Sequence, residues 1–205
     1  MDQGGAFVNY PPGVKPFGVK NSAKTKSNFK KSPVLAGNRG MSFEADINDS
    51  NAYYRDRGLC LITKRPTPIN VVKVDYTHGA IITKAYFETQ STTDYNGVCE
   101  GHYIDFEAKS TRSKTSFPLA NIPPQQIEHL KKVLEQKGIA FFLIHFELLG
   151  KTFLVPASVV IAFYEERPRA SMTLEFIEEN GRLIPETFSP RYDYLPVLKE
   201  LFFEK

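Results

Sequence analysis

The chain has 205 residues, a formal net charge of +3 and 41% hydrophobic residues, which suits one folded domain with a core of ordinary size. No apolar run reaches the length of about 18 residues that a transmembrane helix needs, and the opening MDQGGAFVNYPPG lacks the basic and apolar regions of a secretory leader, so a cytoplasmic protein off the membrane is expected. Cys60 and Cys99 have no metal-ligand spacing and read as free thiols of a reducing compartment.

The small net charge hides an asymmetry. Residues 1–40 carry seven Lys/Arg, among them Lys30, Lys31 and Arg39, against the single acid Asp2. Residues 1–33 are also rich in Gly, Pro, Asn and Ser without hydrophobic periodicity, the composition of a disordered basic arm. Such an arm can grip nucleic-acid phosphates by releasing counterions; the same composition also makes a solubilising tail. Residues 34–205 are then the folded domain.

Within it, a helix is expected from about Gly40 to Tyr54, with Phe43, Ile47 and Tyr54 on one stripe and Glu44, Asn48 and Asn51 on the next. Leu59–Thr63 reads as a short strand, followed by Pro66 and Pro68, which break regular pairing. Ile69–Asp75 and Ala80–Thr89 form a hairpin about Tyr76–Gly79. The stretch 64–89 interleaves Lys64, Arg65, Lys73 and Lys84 with Tyr76, Tyr86 and Phe87. Bases beside aromatics suit phosphates and unstacked nucleotides; an ordinary hairpin with buried aromatics fits equally.

After a polar loop, Pro123 and Pro124 open a helix from Gln125 to Lys137 that stops at Gly138. Ile139–Phe146 is nearly uniformly apolar, as a strand buried on both faces should be. Thr152–Val155 reads as a strand, Ala157–Glu166 and Tyr194–Phe203 as helices, and Thr173–Ile177 is ambiguous. This order predicts an α/β fold, a mixed sheet covered by helices.

The chemistry concentrates between Ser91 and Lys109, STTDYNGVCEGHYIDFEAK. Asp94 precedes a turn, and Glu107 and Lys109 follow on a strand. Metal-dependent nucleases use this pattern: two carboxylates from either side of a turn bind a hard divalent cation, and the lysine sits beside the scissile phosphate. A second Glu-x-Lys, Glu135 to Lys137, lies in a helical pattern and receives no role. Ile104, Phe106 and Ala108 alternate with Asp105, Glu107 and Lys109, so the charged residues share one strand face. Crowded like charges call for a compensating cation or ion pair; a solvated face with a local Glu–Lys pair is the alternative. His102, nearby, reads as a strand-surface residue.

Several longer strings resemble one family. They are Asn38-Arg39-Gly40-Met41-x-Phe43-Glu44, the Lys-x-Pro-Thr-Pro-Ile run from Lys64 to Ile69, Val72 to Tyr76, Ser91 to Gly97, the Tyr-Ile-Asp-Phe-Glu-Ala-Lys run ending at Lys109, Lys114 to Leu119, and Pro190-Arg191-x-Asp193-Tyr194-Leu195. In order and spacing the chain resembles the RecU family of bacterial Holliday junction resolvases. That resemblance implies a restriction-endonuclease-like mixed sheet flanked by helices with a protruding β-hairpin stalk. It implies a homodimer that resolves four-way DNA junctions by paired Mg²⁺-dependent nicks in recombination and repair, with one ion per protomer and Mn²⁺ as a substitute. It also implies a bacterial, nucleoid-associated protein that works with a recombinase and a branch-migration complex.

By the same resemblance the metal residues fall on Thr92, Asp94, Glu107 and Gln126, the transition-state lysine on Lys109, and a pocket-lining helix acid on Glu44. The DNA contacts expected are Lys64, Arg65, Lys73, Lys84, Tyr86, Phe87, Arg39, Lys30 and Lys31. The chain departs from the family pattern at Ile122-Pro123-Pro124-Gln125-Gln126, where histidines are usual, at Cys99, where an aromatic is common, and at Arg167-Pro168-Arg169-Ala170, which lacks paired glycines. Two other readings remain: a sequence-specific restriction-type endonuclease on the same core, and a non-catalytic junction-binding regulator of the recombinase. The intact Asp94, Glu107 and Lys109 set argues against the second.

Overall fold

The computed structural model describes residues 38–88 and 92–203. The expected basic arm, residues 1–33 with Lys30 and Lys31, lies outside the described residues.

Helix α1 (Asn38–Asp56) buries Phe43, Ile47 and Tyr54 at the stripe spacing expected, and extends the predicted helix by two residues at each end. Strand β1 (Leu61–Lys64) leads into β2 (Ile69–Asp75) and β3 (Ile81–Phe87), which pair with each other alone as a two-stranded sheet. Strands β4 (Tyr95–Cys99) and β5 (His102–Thr111) follow, then β6 (Ser116–Pro118), a 3-10 turn at Leu119–Asn121, and α2 (Pro124–Glu135). The chain continues through β7 (Ile139–Phe146), β8 (Lys151–Pro156), α3 (Ala157–Glu166), β9 (Ser171–Thr173), α4 (Leu174–Asn180), β10 (Arg182–Ile184) and α5 (Leu195–Phe202).

The main sheet runs β1-β4-β5-β7-β8-β10. Only the β5–β7 pair is parallel, with Glu107 opposite Phe142 and Lys109 opposite Ile144; a parallel pair needs a crossover, and α2 supplies it. This is a mixed α/β sheet flanked by helices, as expected. Its two faces bury separate cores. Ile104, Phe106, Phe141 and Leu143 pack with α1 and α5, while Ala140, Phe142, Ile144 and Val155 pack with α2 and α3. The ambiguous segment resolves as β9 and α4, whose first turn is capped by Thr173 Oγ1 accepting from Phe176 N at 3.2 Å. Helix α2 ends two residues short of the expected Lys137, which lies in the left-handed region at φ 64.

Gly97 shows why β1 can sit so close to β4. A Cβ at that position would lie 2.0 Å from the carbonyl oxygen of Leu61, so only glycine allows the approach. The same pairing overturns the expectation of free thiols. Cys60 and Cys99 flank the Leu61–Val98 pair and form a disulfide, with their Cα atoms 4.6 Å apart. Their separation in sequence is 39 residues, and strand register rather than spacing brings them together.

The β2–β3 hairpin settles another open point. Every described residue from Ile81 to Phe87 is exposed, as are all of Ile69–Asp75 except the half-buried Val74. Its aromatics are not buried in this chain: Tyr86 is 56% and Phe87 82% exposed.

Candidate active site

Alternation along β5 directs Asp105, Glu107 and Lys109 to the face that α2 covers. The alternative of a solvated charged face does not hold, since Asp105 is 0% and Glu107 1% exposed. Gln126 and His129, one turn apart on α2, face the same strand. Gln126 Nε2 donates to Glu107 Oε1 at 2.7 Å, and His129 Nε2 lies 2.9 Å from Asp105 Oδ2. Each buried carboxylate therefore has its own partner from the helix.

Asp105 is saturated. Arg65 Nη2 donates to its Oδ2 at 2.7 Å and the Tyr103 hydroxyl donates to the same oxygen at 2.9 Å. Thr93 Oγ1 donates to Oδ1. Arg65 also holds the Thr93 hydroxyl at 2.6 Å and the Tyr103 hydroxyl at 3.0 Å, while its backbone N–H donates to the Asp94 carbonyl at 2.7 Å. Arg65, grouped with the DNA-contacting bases in the sequence, thus turns inward and ties the start of the hairpin to β5. A guanidinium serves here because its planar fork reaches several oxygens at once.

Glu107 is held differently. Its Oε2 accepts from the Asp94 backbone N–H at 3.0 Å. Its Oε1 accepts from Gln126 and pairs with Lys109 Nζ at 2.6 Å. Burial pushes the Glu107 pKa up to about 7; the Lys109 charge opposes this, and the nearby Asp94 charge adds to it. These groups line one wall of an open cleft of about 550 Å³ that also takes in Glu44, Asp94 and Gln125. Glu44 comes from α1. Its side chain pairs with Lys64, and its backbone carbonyl accepts from the Tyr95 hydroxyl at 3.1 Å, which fixes the helix against β4.

The donor set fits a hard cation. Gln126 is 4% exposed, yet its amide oxygen is a buried acceptor with no hydrogen-bond partner. An orphaned buried acceptor beside two carboxylates is satisfied by a cation or by a donor such as water. Carboxylate and amide oxygens are what Mg²⁺ selects, with water completing its shell. Among the described residues no three His, Cys, Asp or Glu side chains cluster at a metal-binding distance; the carboxylate and amide groups that line the cleft are those of Glu44, Asp94, Glu107, Asn121, Gln125 and Gln126.

Of the residues expected at the site, Glu44, Asp94, Glu107, Lys109 and Gln126 line this cleft, and Thr92, half-buried two residues before Asp94, is not among its lining residues. Lys73 and Lys84 face each other across the hairpin, with Lys84 Nζ 5.3 Å from the Tyr86 ring centre. Like charges directly opposite are unfavourable. Arg39 sits in the first turn of α1. The sequence reading missed Thr93, Tyr103 and His129. Only His129 had a local signal, its place one turn after Gln126.

The chain matches the family model RecU, recombination protein U, over residues 38–200. The Holliday junction resolvase RecU of Lactococcus lactis subsp. cremoris (strain MG1363) is 51% identical over 209 residues, covering 95% of this chain and 98% of that protein. The Holliday junction resolvase RecU of Streptococcus sanguinis (strain SK36) is 49% identical over 198 residues, covering 95% and 96%. Among solved structures, that of Hjc, a Holliday junction resolvase from Archaeoglobus fulgidus, matches with a TM-score of 0.40 at 11% identity, covering 69% of this chain and 93% of that one.

Proposed function

We propose that this chain, which belongs to the RecU family, is a nuclease that resolves four-way DNA junctions with paired, metal-dependent nicks. The observation that carries the reading is buried Glu107, bonded to the Asp94 backbone, Gln126 and Lys109 at the wall of an open cleft. A buried carboxylate with a raised pKa beside a charge partner in a cleft is a candidate for chemistry.

Asp94, Glu107 and the Gln126 amide oxygen would hold one Mg²⁺ per protomer, with Mn²⁺ able to substitute. When bound, the ion neutralises charge that builds on the phosphate oxygens and lowers the pKa of the attacking water. The chain's own groups do the rest. Lys109, on the same strand face as Glu107, offers its ammonium to a non-bridging phosphate oxygen, where a compact charge is most useful as negative charge develops. Gln126 restrains Glu107 in one rotamer through its N–H, and Glu44, restrained by Lys64, borders the substrate side of the cleft. Thr92 would act on the water shell rather than as a cleft wall.

Junction resolution requires two incisions related by two-fold symmetry, so a homodimer with two such clefts is part of the proposal. Residues 34–205 form the nuclease domain, and the exposed β2–β3 hairpin within 64–89 is its stalk. Lys73 and Lys84 would meet phosphates at the junction centre, while Tyr86 and Phe87 stack on accessible bases. The arm at 1–33, with Lys30 and Lys31, and Arg39 would add sequence-independent grip. No helix among the described residues is long and apolar enough to cross a membrane; we place the protein on the bacterial nucleoid, working with a recombinase and a branch-migration complex.

The test is strand-by-strand cleavage of a synthetic four-way junction beside a matched linear duplex, with Mg²⁺ or chelator, for the natural chain and for Glu107→Gln. Symmetric nicks that need Mg²⁺ and vanish in the variant are expected. Tight junction binding without nicks from either chain would overturn the enzymatic reading and favour the non-catalytic regulator; preference for a duplex site would favour a restriction-type enzyme.

A further inference from the structure

A second cleft, of about 520 Å³, lies against the first, and Pro123 borders both. Its walls include Leu119, Ile122, Tyr164, Arg167 and Arg169, with two guanidinium groups and no carboxylate among its lining residues. We infer that this cleft is a phosphate grip for the DNA strand flanking the scissile bond, with Arg167 and Arg169 as its positioning residues. The inference rests on the nuclease reading above and adds the path that the cut strand takes.

Three features make the cleft a built one. The first is that Arg167 is preset. It ends α3 in the left-handed region at φ 45, its backbone N–H donates to Phe163 O at 3.0 Å, and its Nε donates to Tyr164 O at 3.3 Å. Its guanidinium carbon lies 4.8 Å from the Tyr164 ring centre. A stacked, planar donor keeps its remaining N–H groups free for a phosphate at little further entropic cost. Left-handed helix ends usually carry glycine, and arginine occupies this one.

The second is that the arginine loop is fixed to the catalytic wall. Leu119 N–H donates to Ala170 O at 3.0 Å, and β6 pairs with β9 through Pro118 and Ser171. The segment that leaves this pairing runs through the 3-10 turn to Pro123 and then to Gln125 and Gln126. The backbone of the loop at 167–170 is therefore tied to the segment that leads to the first cleft. Helix α2 begins at Pro124, between the two clefts, and points its positive end there.

The third is that neither arginine is neutralised. Both are exposed, and among the described residues neither makes an ion pair. Of the acids nearby, Glu165 pairs with Lys131, Glu166 is exposed at the end of α3, and Glu175 and Glu179 line a separate smaller pocket that Arg169 also borders, without an ion pair to it. DNA carries a charge about every 3.4 Å along each strand, so a strand that runs from Lys109 past Pro123 would bring phosphates to this basic cleft.

The experiment measures binding of a four-way junction in chelator across a salt series, and nicking in Mg²⁺. It compares the natural chain, the double variant Arg167→Gln/Arg169→Gln, and the charge-keeping double variant Arg167→Lys/Arg169→Lys. The expected result for the Gln pair is a slope of log affinity against log salt that falls by about 1.8, two phosphate contacts at about 0.9 each. Its nicking should lose mainly in KM, and the Lys pair should recover the slope. An unchanged slope and KM in the Gln pair, with natural-chain cleavage intact, overturns the grip and leaves the nuclease reading standing. A slope loss in the Gln pair that the Lys pair does not recover also overturns it, because charge is then not the cause. If the natural chain neither binds nor nicks the junction, both readings fall together.

Discussion

Asp105 and Glu107 are two positions apart on one strand face, equally buried, and each touches α2, yet they are built for different ends. Asp105 accepts from Arg65, Thr93 and Tyr103 and contacts His129, so its charge is fully answered inside the protein. Glu107 is answered by a lysine at the cleft and by an amide whose own oxygen is left without a partner. Burial alone therefore does not distinguish the two acids. What distinguishes Glu107, the acid proposed to work, is that its partners Lys109 and Gln126 themselves line the cleft.

The sharpest break of that comparison is to neutralise each carboxylate in turn. Glu107→Gln should reduce Mg²⁺-dependent nicking by at least about 10³-fold, while junction binding holds and the stability loss stays within about 1–3 kcal/mol. Asp105→Ala should do the opposite in kind. It leaves Arg65 without its buried partner and should cost about 3–5 kcal/mol in urea or guanidinium unfolding. Equal losses of stability in the two variants would erase the distinction.

A second test uses pH. In metal-free protein the Glu107 pKa is raised to about 7 from an ordinary 4.5. The folded state therefore binds the extra proton across that window. This contribution is fully present below the unfolded pKa and is lost as pH rises through 7. Chelated protein should lose melting temperature between pH 5 and pH 7.5 by a few degrees, and Mg²⁺ should raise it more at pH 7.5 than at pH 5.5. An equal Mg²⁺ effect at both values would separate the ion from Glu107.

Smaller effects sharpen the picture. Gln126→Ala removes a cleft oxygen and the donor that orients Glu107, and should weaken Mg²⁺ by about tenfold in a nicking titration. Glu44→Gln breaks only a partly exposed pair with Lys64 and should change stability by less than about 1 kcal/mol.

How much of this was legible follows the same divide. β2, β7 and α3 matched the sequence reading to the residue, because hydrophobic pattern and Gly/Pro punctuation act over a few positions. Glu107 and Lys109 were legible for the same reason: the strand alternation is local. The resemblance supplied Gln126 and Thr92, and the structure adds that Gln126 reaches Glu107 while Thr92 stays outside the cleft lining. What stayed hidden depends on topology. Arg65 meets Asp105 across 40 positions, His129 meets it across 24, and Cys60 meets Cys99 across 39. No local pattern encodes a partner on another strand or helix, and so a buried structural ion pair resembled one more basic residue of the hairpin.

The single turn of α2 between Gln126 and His129 works as a spacer bar. One end is set by Asp105 and the other reads out at Glu107, 2.7 Å from the Gln126 amide. Under the metal-site proposal, substitutions at His129 or Arg65 should alter the divalent-ion dependence of nicking without touching the residues that would hold the ion.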